Sequence, residues 1–236
     1  MSSDTDADAA ASAASQEAGD LGKRNRLEFV VAIMLGLVSI GIAYASFQAA
    51  LYDSAMDDAY QESTALGAEA ESLYLEGNQT YVQDAGLWNQ LTQLIIEMES
   101  ADPAIAANAS STFEVLYFQA VSPELDAAIT WADEQNAADP DVYYSPLDSE
   151  DYQAALFGGY AETKEQADAL AAQGDEANGL SDRLMLYTVL MSISLFLLGI
   201  AAVVRQYRVQ LMLVITGTAV FLVSMVLTLF VPFIGL

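Results

Sequence analysis

The sequence predicts an all-α membrane protein, with three transmembrane helices and an extracytoplasmic helical bundle continuous with helices one and two. Three observations lead there. Hydrophobic residues make up 54% of the 236-residue chain, and three long runs are almost continuously apolar. Between the first and second runs, residues 52–182 carry 27 acidic side chains against one base, Lys164. Within that acidic segment apolar residues recur at helical spacing, and no strand-like alternation occurs.

Residues 1–26 are mostly Ala, Ser and Asp with little to bury, which predicts a disordered cytoplasmic tail. They lack the apolar stretch of a signal peptide. Transmembrane helix 1 falls at 27–51, whose apolar run is long enough to cross a hydrocarbon core of about 30 Å. Transmembrane helix 2 covers 183–204 and transmembrane helix 3 covers 209–236. Only residues 205–208 separate these two, so they form a tight hairpin with a cytoplasmic loop.

Basic residues set the orientation. Lys23, Arg24 and Arg26 precede helix 1, and Arg205 and Arg208 occupy the hairpin loop. Two crossings separate the clusters, so both lie on one side, the cytoplasmic one. The expected location is the cytoplasmic membrane, multi-pass, with residues 52–182 outside the cell. Arg183, beside Asp182, is the one base out of place.

The acidic domain, 52–182, divides into helical segments. Helix 1 continues outward over 46–76, and a second helix covers about 80–99, where Leu87, Leu91, Leu94, Ile95 and Met98 share a face. A third spans about 103–118. A fourth starts at Ser122-Pro123, a capping residue followed by proline at the first helical position. Two prolines break the chain over 138–146. A last helix, capped by Asp148 with Asp151, continues into transmembrane helix 2, with a kink expected from Gly158, Gly159, Gly174 and Gly179.

Three stretches resemble a loosely defined group of uncharacterised prokaryotic three-span membrane proteins. They are Ala43-Tyr-Ala-Ser-Phe-Gln-Ala-Ala-Leu-Tyr52, Ser122-Pro-Glu-Leu-Asp-Ala-Ala-Ile-Thr-Trp131 and Asn178-Gly-Leu-Ser-Asp-Arg-Leu-Met-Leu-Tyr187. The resemblance covers most of residues 28–232 and implies three spans with a helical outer domain. It implies no activity, substrate or site residues. The acidity adds the expectation of a haloarchaeal member, because a folded surface of such charge suits high salt.

The chemistry that the residues exclude is broad. With no cysteine and no histidine, thiolate zinc sites and Cys or His catalysis are absent. The net charge of −26 opposes nucleic-acid binding. No Asp, Glu, Lys or Arg lies within the apolar runs 29–51, 184–204 and 209–236, where coupled transporters and voltage sensors need one. The acid clusters Asp53/Asp57/Asp58, Asp139/Asp141 and Asp148/Glu150/Asp151 lack the glycine and spacing of a calcium loop, and a solvated surface explains them. Lys164 lies in Glu162-Thr-Lys-Glu165, an exposed ion-pairing face. The sequence therefore predicts no enzyme, no catalytic or metal residues and no cofactor.

Two features remain as candidates. Ala32, Gly36, Ser39, Ala43, Ser46 and Ala50 recur at alternating spacings of four and three, a small-residue stripe that allows close helix packing. The partner is another span of the chain or a second molecule. Asn78-Gln-Thr80 and Asn108-Ala-Ser110 are glycosylation sequons, so Asn78 and Asn108 are candidate acceptors. The function expected is a membrane-anchored interaction or sensory/accessory module, which besides the lipid bilayer needs a membrane-protein partner or self-association. The alternative is a homo-oligomeric channel or transporter subunit with an acidic vestibule.

Overall fold

The computed structural model describes residues 26–235. Lys23, Arg24 and nearly all of the expected disordered tail (1–26) lie outside the described residues. Every regular element is helical. Helix α1 is described over Arg26–Met98, followed by α2 (Pro103–Ala120), α3 (Pro123–Ala138), a 3₁₀ turn (Pro146–Asp148), α4 (Glu150–Val203) and α5 (Tyr207–Leu229). Three of these, α1, α4 and α5, are long and apolar enough to cross a membrane.

Local chemistry explains most boundaries. Asp102 caps α2, its carboxylate accepting from the Ala104 N–H at 2.9 Å, with Pro103 at the first helical position. Ser122 caps α3 in the same way through the Leu125 N–H, as the Ser-Pro pair predicts. The start of α4 differs from expectation. Ser149 accepts from the Tyr152 N–H there, while the Asp148 carboxylate turns back to the Ser145 N–H. A short hydroxyl at the cap position fits that turn better than a carboxylate already spent on the 3₁₀ turn.

Two expected interruptions are missing. No break separates 46–76 from 80–99, and the glycines of α4 do not interrupt that helix. Gly77 sits within α1 because its missing Cβ admits a neighbour. A Cβ there would lie 2.5 Å from the Leu156 carbonyl oxygen and 3.1 Å from the Phe157 ring. The third apolar helix is shorter than expected, ending at Leu229. Pro232, which offers no N–H and opposes helical geometry before it, accounts for that end.

The described chain falls into two compact units, residues 60–172 and the remainder. In the first, Leu91, Leu125, Ala128, Ile129 and Tyr152 form the core, with Trp88, Phe113 and Leu147 packed around it. Along α1 in this unit, Ala70, Gly77, Asp84 and Leu91 are buried at every seventh residue. In the second unit, Val31, Val38, Met191, Leu198, Val214 and Phe221 form the core. A smaller cluster holds Ala49, Tyr52, Ala177 and Leu184, against which Val231 and Ile234 pack. The buried positions of α5 are Gln210, Val214, Gly217, Phe221, Ser224 and Thr228, alternating by four and three. That spacing is the seam of left-handed helix packing.

Candidate functional site

In the apolar unit the helices approach through glycines that differ from those of the predicted stripe. A Cβ on Gly41 would stand 3.0 Å from the Phe221 ring and 3.3 Å from the Met191 sulfur. One on Gly217 would stand 3.1 Å from Leu198. Ser194 donates across to the Gly217 carbonyl at 2.6 Å, and Ser181 donates to the Ala49 carbonyl at 3.2 Å. Small residues and interhelical hydroxyl bonds are the packing devices that suit helices long and apolar enough to cross a membrane.

The predicted stripe faces the other way. Ala32, Gly36, Ser39, Ala43, Ser46 and Ala50 are all exposed, and nothing lies within 4 Å of a Cβ built on Gly36. The Ser39 hydroxyl bonds back to the Leu35 carbonyl. The inward face of α1 carries Val31, Val38, Gly41, Ala45 and Gln48 instead.

Beyond Leu229 the backbone loses helical partners and gains side-chain ones. The Gln48 amide accepts from the Ile234 N–H at 3.1 Å and donates to the Ile234 carbonyl at 3.3 Å. The Tyr52 hydroxyl donates to the Pro232 carbonyl at 2.8 Å. Irregular backbone in an apolar setting needs such partners, because no water replaces them. Gln210, fully buried near the start of α5, keeps its carbonyl oxygen without a partner.

In the acidic unit one carboxylate is buried. Asp84 is 7% exposed and accepts from the Tyr152 hydroxyl at 2.7 Å. Burial first, then this bond, push the tyrosine hydroxyl well above its usual value. The sequence carried a signal here. Asp84 falls on the apolar face of Tyr81, Trp88 and Leu91, where a solvated acid has no place.

The remaining acids follow the solvated reading. Asp57, Asp58, Asp139, Asp141, Asp148, Glu150 and Asp151 are exposed, and Asp53 is half-buried. Among the described residues no group of three or more acids is arranged to hold a metal ion. Lys164 pairs with Asp168 one turn on, and that bond raises its pKa, keeping the ammonium charged. Asn78 and Asn108 are exposed on α1 and α2. Arg26, Arg205 and Arg208 are exposed too.

No protein-family model matches the chain, and neither a curated protein nor a solved structure matches it. The functional reading therefore rests on the residues themselves.

Proposed function

We propose that the protein is a membrane-anchored interaction or sensory/accessory module of the cytoplasmic membrane, acting through binding partners rather than catalysis. The observation that carries this reading is the outward-facing small-residue stripe of α1. It runs along a helix apolar enough to span a membrane, and the chain's own α4 and α5 leave it uncovered. In lipid such a face gains little from tails and more from another helix. The partner is thus a second membrane helix, from another protein or another copy.

The reading places the N-terminus and residues 205–208 in the cytoplasm and the acidic unit outside, following the exposed arginines. The helices α1 and α4 each contribute to both units, a covalent route from outer events to the spans. The acidic surface suits a high-salt, haloarchaeal setting.

Cysteine labelling tests the topology, because the chain contains no cysteine of its own. In intact cells an impermeant maleimide is expected to label Thr130→Cys but not Gln206→Cys. The reverse pattern overturns the orientation. Replacing both Gly36 and Ala43 with Leu is expected to preserve folding while removing a partner from the complex isolated at high salt. An unchanged complex mass removes the stripe from the reading, and a purely homo-oligomeric complex that conducts ions favours the channel alternative.

A further inference from the structure

Helix α2 departs from the chemistry of the unit around it. Residues 103–121 hold one acid, Glu114, although residues 52–182 carry 27. Its inward side supplies Ala109, Phe113, Leu116 and Tyr117 to the core and its margin. Its outward side carries Ala104, Ala107, Asn108, Ser111, Val115 and Phe118, all exposed, with Phe118 at 91%. An amphipathic surface helix ordinarily shows charge on that side, and here Glu114 is the one charge among small polar and apolar residues. The Ser111 hydroxyl is already bonded to the Ala107 carbonyl, so the face offers size and shape rather than polar readout.

The order of sizes along this face says what covers it. Bulky residues, Val115 and Phe118, stand toward one end, and small ones, Ala104 and Ala107, toward the other. Ser111 lies midway. Laid antiparallel on its own copy about Ser111, the helix sets Phe118 over Ala104 and Val115 over Ala107. A parallel arrangement would stack Phe118 on Phe118, leave the alanines unfilled and align the two helix dipoles unfavourably. A partner rich in basic residues would find no carboxylates here beyond Glu114.

We propose that the outward face of α2 is a self-association surface, on which a second copy of the chain packs its own α2 antiparallel about Ser111. Each contact is isologous, so it closes as a dimer. An 18-residue helix is about 27 Å long, and one such pair falls short of the roughly 1,000 Å² of a self-standing interface. The contact therefore operates between copies held together by other means, as co-anchored membrane proteins are. Carboxylates elsewhere on the two copies repel, so the contact strengthens in molar salt, where the Debye length is about 3 Å. The inference does not depend on which side of the membrane the unit occupies.

Single cysteines in the full-length chain, oxidised in native membranes at molar salt, test it. A residue on the two-fold axis meets its own copy within disulfide reach. Ser111→Cys is expected to form disulfide dimers about tenfold faster than Thr130→Cys, an exposed position on α3. Ala104→Cys and Phe118→Cys are expected to cross-link with each other when co-expressed, and neither with itself. Adding Phe118→Asp to Ser111→Cys is expected to cut the yield about tenfold. These positions are exposed, so the variants fold. Equal rates at Ser111 and Thr130, an inert Phe118→Asp, or self-linking of Phe118→Cys each overturns the proposal.

Discussion

The Tyr152 hydroxyl donates to the Asp84 carboxylate at 2.7 Å inside the acidic unit, tying α4 to α1 across 68 residues of chain. In a segment whose other acids are mostly at the surface, this one is placed where an apolar residue would be expected. A buried carboxylate left without its donor is costly. Tyr152→Phe is thus expected to destabilise the unit by about 2–3 kcal/mol, and the double change Tyr152→Phe with Asp84→Leu to recover part of that loss. Both tryptophans, Trp88 and Trp131, lie in this unit, so tryptophan fluorescence during denaturation reads it selectively. A double variant less stable than Tyr152→Phe alone would show that the pair does more than satisfy itself.

The glycines of α1 are expected to differ sharply. Gly77→Ala drives a Cβ to 2.5 Å from the Leu156 carbonyl oxygen, a backbone atom that cannot step aside. The cost expected is about 1–3 kcal/mol, as for overpacking. Gly36→Ala meets nothing within 4 Å and gains the helix propensity of alanine, about 1 kcal/mol at most. Thermal unfolding of the two variants in detergent checks the contrast. Equal midpoints would mean that the approach at Gly77 relaxes freely.

Gln48 holds both polar groups of Ile234. Gln48→Leu keeps the bulk and removes both bonds, at an expected cost of about 1–3 kcal/mol. The readout is local. Hydrogen exchange at the Ile234 amide is expected to accelerate, while amides in the middle of α5 keep their rates. Acceleration throughout α5 would make Gln48 a determinant of the whole helix rather than of its exit.

High pH is expected to loosen the acidic unit. Tyr117 donates to Asp126, and burial together with that bond pushes its hydroxyl from 10.0 to about 12. Tyr152 is raised as well, with burial the first cause. A folded pKa above the unfolded one stabilises fully below pH 10.0. That stability is lost as pH climbs toward the folded value, because the unfolded chain ionises first. The denaturation midpoint read by tryptophan fluorescence is expected to fall between pH 10 and about 12, and less so in a Tyr117→Phe, Tyr152→Phe double variant. An equal fall in that variant would assign the effect to general charge repulsion.

Much of the helical layout was legible in advance. Ser122-Pro123 marked the start of α3 because a hydroxyl cap and a proline without an N–H act locally. The prolines at 140 and 146 marked the longest irregular segment between helices among the described residues. The α4 glycines misled, since an isolated glycine weakens a helix by about 1 kcal/mol and tertiary packing easily outweighs that. Asp84 was legible in principle from its place on an apolar face, and its partner Tyr152 was not. Nothing local connects residues 68 positions apart.

By itself, then, the sequence determined the helical class, the three apolar segments and the segregation of acids into one stretch, because length, charge and hydropathy are summed along the chain. It also set out a small-residue stripe on α1, but not which way that stripe faces. In an apolar helix every face is equally greasy, so periodicity cannot say which side turns inward. Only the tertiary structure decided that Gly41 and Gly217 lie in the packed seam while Gly36 faces out. That choice depends on the fit of Phe221, Met191 and Leu198 against particular backbone positions, a property of side chains on different helices.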